Sequence, residues 1–314
     1  MSKFAIREAK LPSGEGLPLL VMGHRLGLPV PLALRYILVR CRPSGKKANT
    51  IRQKLGALSL GLQFFETRHI ELTERAATRQ FLDIDELAAL SERCRQRDDD
   101  QGVVTPSYAA TRYATCIDYV RWFSEGIIRR ITAVRRRENA NNALHRFIKR
   151  AKLSSPSSNN HHSNIPGERL GFTPAQRDLF RACIKPGAIG NPFGAKVQLR
   201  NYAMLLLALE LGPRPGEVLG LKVRDIDFSQ NPAALMIHRR HDDPDDKRRV
   251  RPETKTNGRL LQLAPWLRDV LYDWIASRRL FFGAKKHPYV FINYRGDPIT
   301  DRGYRRIIET LRRH

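Results

Sequence analysis

Apolar residues recur at three- and four-residue intervals through most of the first half of the chain, the spacing of amphipathic helices. It predicts a helix over residues 31–39, entered through Pro29 and Pro31. A second covers 50–66, with Ile51, Leu55, Leu58 and Leu62 on one face and Phe64 and Phe65 at its apolar end. A third spans 83–97, with Ile84, Leu87 and Ala88 inward and Arg93, Arg95 and Arg97 on a charged outer face. A fourth spans 107–123, and Val120, Phe123, Ile127, Ile131 and Val134 carry its spacing onward. No strand-like alternation interrupts this half. Residues 1–27, dotted with Gly and Pro, read as an irregular leader. The expectation is an all-helical module of four to six helices.

Residues 153–167, LSSPSSNNHHSNIPG, hold almost nothing that can form a core and read as a linker. His161 and His162 lie in that tract without a cysteine or carboxylate partner, so they read as linker and not as a metal site. Ordered structure resumes over 171–184, where Thr173 caps a helix, Pro174 takes its first position, and Leu179 and Phe180 face inward. The stretch GAIGNPFGAK at 187–196 lacks the Gly-Lys-Ser/Thr of a phosphate loop, so no nucleotide cofactor is expected. Residues 202–211 are the most apolar in the chain and predict a buried helix. Gly212 and Pro213 end it, and Pro215 opens another.

Beyond that corner the pattern turns to strands. One is expected over 234–239, then a solvated turn containing HDDPDDK, whose proline and basic flanks speak against a metal site. Residues 248–253 and 259–263 are expected to pair as a hairpin, because Asn257-Gly258 is a strong turn signal. Lys255 would sit at its tip. A helix over 266–278, a strand over 289–294, a turn at 295–298 and a last helix capped by Thr300 or Asp301 complete the chain. The fold class expected is multidomain and mainly α: a helical domain over 1–152, a linker over 153–168, and an α+β domain with a small antiparallel sheet over 169–314.

Charge adds a partner to this picture. The 314 residues carry 56 Lys plus Arg against 31 Asp plus Glu, a net charge of +25. So large an excess calls for a polyanion, and nucleic acid fits it best. No stretch approaches the ~18–20 apolar residues of a membrane span, and no secretory signal is visible. The four cysteines form no C-x-x-C pair and read as reduced thiols of a cytoplasmic protein. Residues 121–152 hold ten Lys or Arg against Glu125 and Glu138 alone. Arg129, Arg130, Arg135, Arg136, Arg137, Lys149, Arg150 and Lys152 are the main members. A solvated helix face is one reading. A one-signed face forgoes stabilising i,i+4 pairs, however, and contact with DNA phosphates accounts for it better.

Arg214 stands at the corner between the buried helix and the next one. Two readings are open on spacing alone: a rigid grip on an anion, or a structural pair with Glu217. The stretch 198–228 resembles the first catalytic box of the tyrosine recombinases, the phage-integrase family. The match runs through the apolar helix (residues 205–211), Gly212, Arg214, Glu217 three residues on, residues 219–221, and Asp225-Ile226-Asp227 leading into a strand. Pro213 and Pro215 depart mildly from the commonest pattern. The resemblance implies that Arg214 contacts the scissile phosphate. It also implies that Lys255, a plain surface lysine on any other reading, is the general acid for the leaving 5′ oxygen; Arg259 reads as contacting DNA backbone or the hairpin itself. It further implies a helical (SAM-like) core-binding domain that closes over duplex DNA, and a DNA breaking-rejoining catalytic domain that works without metal or other cofactor. The likeness covers 169–314 closely and 28–150 in architecture alone.

The family's second box, its later histidine or tryptophan and its nucleophilic tyrosine find no counterpart in these residues. Tyr289, Tyr294 and Tyr304 precede the place where they are expected and read as structural. A catalytic domain incomplete at its C-terminus, unable to cut DNA alone, is the expectation. Its alternative is a non-catalytic basic protein that occupies recombination sites, self-associating on DNA or not. A general RNA binder fits less well, because no aromatic stacking platform is present.

Overall fold

The computed structural model describes residues 3–12, 15–23, 27–98, 102–156, 171–240, 243, 245–248, 250–252 and 257–314. Contacts divide the chain into two compact units, Met1–Glu168 and Arg169–His314. Lys255, His161 and His162 lie outside the described residues. Among the described residues no helix is long and apolar enough to cross a membrane.

The first unit opens with strands and not with an irregular leader. β1 (Phe4–Lys10) and β2 (Gly16–Met22) pair antiparallel, Phe4 opposite Met22 and Lys10 opposite Gly16. Pro18 is tolerated because a two-stranded sheet consists only of edges. Leu17 and Leu20, joined by Phe4 and Ile6, pack in one cluster with Tyr36, Ile51, Leu55 and Leu58. That burial, with a Glu8–Arg52 ion pair of 2.5 Å, is what orders the segment. Among the described residues the hairpin is the exception to an otherwise helical unit.

Six helices follow among the described residues. α1 (Pro31–Tyr36) widens into a π turn over Ile37–Cys41. α2 (Ala48–Thr67), α4 (Ile84–Arg95) and α5 (Pro106–Ile128) occupy the expected positions, but of the inward set expected on α4 only Leu87 is buried, and Ile84 and Ala88 face water. α3 (Leu72–Thr78) was not signalled by periodicity. The apolar spacing that runs through Val134 does not make one helix: the chain leaves helical geometry after Ile128, and α6 (Val134–Leu153) starts afresh. A hydrogen bond from the Tyr113 hydroxyl to the Ala151 carbonyl (3.0 Å) and the stacked Phe81–Phe147 pair fix α6 on the core. Cys94 and Cys116 are buried free thiols in that core, and the Cys116 thiol donates to the Ala57 carbonyl (3.4 Å).

The second unit wraps α8 (Ala195–Leu211), whose residues from Ala203 to Leu207 are all buried. α7 (Pro174–Ile184) begins with the Thr173–Gln176 capping box. Its Leu179 is 72% exposed, so only Phe180 of the expected pair turns toward the core. α9 (Pro215–Gly220) follows the corner, and a sheet of order β3 (Ile226–Asp227), β4 (Ala234–Ile237), β5 (Arg259–Gln262) lies beyond it. Among the described residues the partner of β5 is β4, Ile237 opposite Arg259. Arg248, Arg251 and Pro252 are not in a strand. Arg248 is instead turned inward by Asp246 and by the carbonyls of Leu219 (3.0 Å) and Ile299 (2.7 Å).

α10 (Pro265–Arg278) and α11 (Asp301–Arg313, capped by Thr300) close the unit. Between them residues 289–294 form isolated bridges and not a strand. Backbone bonds such as Val290 N–H to the Leu221 carbonyl (2.9 Å) are reinforced there by side chains: Trp274 donates to the Val290 carbonyl (3.0 Å), Arg278 to that of Tyr289 (2.7 Å) and Arg200 to that of Ile292 (2.9 Å). Burial lowers the Arg200 guanidinium to about 10.

Candidate nucleic-acid interface

The second unit presents one arginine by a precise local device. Gly212 ends α8 with φ 59°, a left-handed conformation that costs glycine little, and its N–H returns to the Ala208 carbonyl. Pro213 is buried, Arg214 is extended at φ −66°, ψ 152°, and Pro215 opens α9 with φ preset. The Arg214 backbone is pinned from both sides. Its N–H donates to Glu217 Oε2 (2.9 Å), and its carbonyl accepts from the N–H groups of Glu217 (2.8 Å) and Val218 (3.1 Å).

The guanidinium is left facing water. Its side chain is 56% exposed and its Nη1 stays 4.0 Å from Glu217 Oε1, whereas the Glu217 side chain is fully buried. Glu217 is taken by Arg259 at the start of β5, through Nη1–Oε1 (2.9 Å) and Nη2–Oε2 (2.7 Å). This bidentate bond raises the Arg259 guanidinium's pKa. The structural pair to Glu217 is therefore made by Arg259, at a sequence distance of 42. Arg259 does not merely contact backbone.

The aspartates of HDDPDDK are not a solvated turn where they are described. Lys222, 1% exposed, puts its Nζ 2.7 Å from Asp243 and 2.7 Å from Asp245. Asp246, 3% exposed, pairs with Arg248 at 2.7 Å. The Tyr289 hydroxyl donates to Asp243 (3.1 Å), and the Arg248 guanidinium lies 4.6 Å over the Tyr289 ring. Arg240 forks onto Asp225, which also accepts from the Lys222 N–H (2.8 Å). Two bonds reach the helix behind Arg214 directly, from Arg248 to the Leu219 carbonyl and from Arg240 to that of Gly220 (3.3 Å). The acidic loop thus holds buried cations in place, because a buried charge without a partner is costly.

In the first unit, α6 buries Ala140, Leu144, Phe147 and Ala151. Arg135, Arg136, Arg137, Lys149, Arg150 and Lys152 on α6 are exposed, as are Arg129 and Arg130 before it. The run is not wholly without i,i+4 pairs: Glu125 holds Arg121 at 2.7 Å and lies 3.7 Å from Arg129. Opposite the buried stripe, Arg135, Asn139, Asn142, Arg146 and Lys149 recur at steps of four and three and are all exposed, which puts them on one face. The two asparagines were missed by reading charge alone, although their spacing was visible.

Residues 181–314 match the model of the phage integrase family. This part of the chain is similar to that family. Over 127 residues the chain is 28% identical to the tyrosine recombinase XerC of Bacillus pumilus, a match covering 39% of this chain and 35% of that relative. The aligned stretch thus spans about a third of the curated relative's length. Among solved structures, the Tn1549 transposon integrase in complex with transposon right-end DNA has 16% identity and a TM-score of 0.47, over 90% of this chain and 78% of that one. The XerH site-specific recombinase bound to its palindromic difH substrate has 19% identity and a TM-score of 0.43, over 88% and 67%. The matched stretch includes the whole Arg214 corner, with Glu217, Arg259 and Lys222.

Proposed function

We propose that the chain is a DNA-recombination protein of the tyrosine recombinase family that binds duplex DNA through α6 and, separately, through the Arg214 corner. The observation that carries this reading is the disposition of Arg214. Its backbone is fixed, its guanidinium is in water, and the nearest carboxylate is occupied by another arginine. Such a group is preorganised for a phosphate, which a guanidinium can grip through two N–H bonds. Lys255, four residues before Arg259 in the chain, is the proposed proton donor to the leaving 5′ oxygen.

A second reading is favoured for residues 1–314 acting by themselves: binding without strand cleavage. Tyr289 is 1% exposed, donates to Asp243, and is pushed up in pKa by burial first and by Asp246 and Asp243 next. Tyr304 is 8% exposed and is likewise raised by burial. Neither is placed to attack a phosphate.

The test of the Arg214 reading is Arg214→Ala measured two ways. Losing a charged hydrogen bond to DNA costs about 1.5–3 kcal/mol, roughly ten- to hundredfold in Kd. The fold should lose no more than about 0.5 kcal/mol, the usual effect of a surface substitution. Unchanged Kd with a large fall in Tm would return Arg214 to a structural role.

A further inference from the structure

The Glu217 carboxylate sits between two arginines and is shared unequally. Arg259 holds both of its oxygens, at 2.9 and 2.7 Å, while the Arg214 guanidinium stops at 4.0 Å. The carboxylate cannot relax into water, because its side chain has no exposed surface. Its position is fixed further by the Arg214 N–H, which donates to Oε2 at 2.9 Å. A buried carboxylate must be satisfied by whatever cation is within reach. If Arg259 were absent, the Arg214 side chain, its Nη1 4.0 Å away on the same corner, is the cation among the described residues placed to move in.

We propose that Arg259 is a positioning residue: by occupying Glu217 it keeps the Arg214 guanidinium turned outward and available to a DNA phosphate. This rests on the reading of Arg214 as a phosphate contact. Arg259 itself acts through Glu217 and does not touch DNA. The placement on β5 suits the role. Arg259 is opposite Ile237 in the ladder, so its backbone is set by the sheet and its fork approaches Glu217 from a fixed direction. A lysine there would supply charge but not the two-pronged bond that neutralises both oxygens.

The experiment follows the binding of the full chain to a fluorescein-labelled duplex of arbitrary sequence by anisotropy, with circular dichroism to check folding. Arg259→Gln should weaken binding about tenfold, the size of one lost charged hydrogen bond. Adding Glu217→Gln to that variant removes the charge that would capture Arg214, and should restore most of the affinity. In an Arg214→Ala background, Arg259→Gln should have no further effect. If Arg259→Gln leaves binding unchanged, the proposal is wrong. It is equally wrong if the loss persists in the double variant and adds to that of Arg214→Ala, since Arg259 would then touch DNA itself. Should Arg259→Gln fail to fold, the Arg259→Gln/Glu217→Gln chain, which leaves no uncompensated charge, decides alone: affinity near that of the parent supports the proposal, and affinity as low as that of Arg214→Ala overturns it. An Arg214→Ala chain that binds like the parent would remove the phosphate reading instead, a result distinct from all of these.

Discussion

At the scale of the residue, Lys222 shows how burial and charge decide together. A lysine 1% exposed is tenable only with negative charge around it, and Asp243 and Asp245 supply it. Removing one partner of a buried pair costs about 3–5 kcal/mol, more than the pair itself contributes, because the other charge is stranded. Lys222→Met should therefore lower stability by about 3 kcal/mol, toward the low end because Asp245 is partly exposed, as a denaturant titration would record. The same cluster sets an acid limit. Burial alone raises the Asp243 carboxyl, but Lys222, the Asp245 N–H and the Tyr289 hydroxyl outweigh it, and the net shift is downward. A carboxyl with a depressed folded pKa binds its proton more tightly when unfolded. Its stabilisation is complete above the unfolded value, about 4, and fades as pH falls through the folded one. Thermal melts of Asp243→Asn should show lower Tm at neutral pH and a shallower decline below about pH 4; a decline as steep as the parent's would exclude Asp243 as its source. In the sequence Arg214 was legible, because Gly212 and Pro215 bracket it and backbone preferences act locally. The aspartate loop was not, because its cation lies some twenty positions upstream and a charge-rich run reads as exposed.

At the scale of the element, the helices announced themselves and the sheet did not. A 3.6-residue period is a property of the segment itself, so α2, α4, α5 and α10 could be read directly. The β1–β2 hairpin was hidden by its Gly and Pro content and by a leucine-rich β2 whose buried residues come in adjacent pairs, with no clean alternation. The true partner of β5 could not be read either, since Asn257-Gly258 suggested a local hairpin whereas the ladder joins β4, more than twenty residues earlier. α6 was only half legible: its charge was visible, but its starting point was blurred by apolar residues that continue the period of α5. Reversing Arg135, Arg136 and Arg137 on that helix to Glu should weaken binding on every duplex. It should also flatten the plot of log affinity against log salt by about 0.9 for each phosphate no longer neutralised. Asn139→Ala and Asn142→Ala should behave differently. Asparagine can pair with adenine through two hydrogen bonds in the major groove, a discrimination of about 1–3 kcal/mol per base. Selection of bound sequences from a random pool should broaden for the asparagine variants with the salt slope unchanged; equal selectivity for variant and parent would leave the asparagines as solvent-facing helix only.

At the scale of the whole molecule, a net charge of +25 means that DNA binding and DNA cleavage can come apart. Counterion release from a basic surface supplies affinity regardless of whether any bond is broken. Cleavage through a covalent intermediate needs a nucleophile aligned with the phosphate and activated there. Of the tyrosines in the second unit, Tyr289 and Tyr304 are buried, and Tyr202 packs partly against the core. Tyr272 is 60% exposed on α10, where its ring meets that of Phe228 edge-on, and Tyr294 is 66% exposed beneath Arg295. Among the described residues no hydrogen bond ties either of these two to Arg214. The expected outcome for residues 1–314 is a shifted band on a native gel and no covalent product. A nicked suicide duplex, which traps any 3′-phosphotyrosyl linkage, incubated with the protein and run under denaturing conditions measures this. A covalent band that persists in Tyr289→Phe and Tyr304→Phe but disappears in Tyr272→Phe or Tyr294→Phe would show that an exposed tyrosine reaches the phosphate held by Arg214. The corner would then be a working half of an active site, and the anion grip at Arg214 would have to lie within one side chain's reach of that tyrosine when DNA is bound.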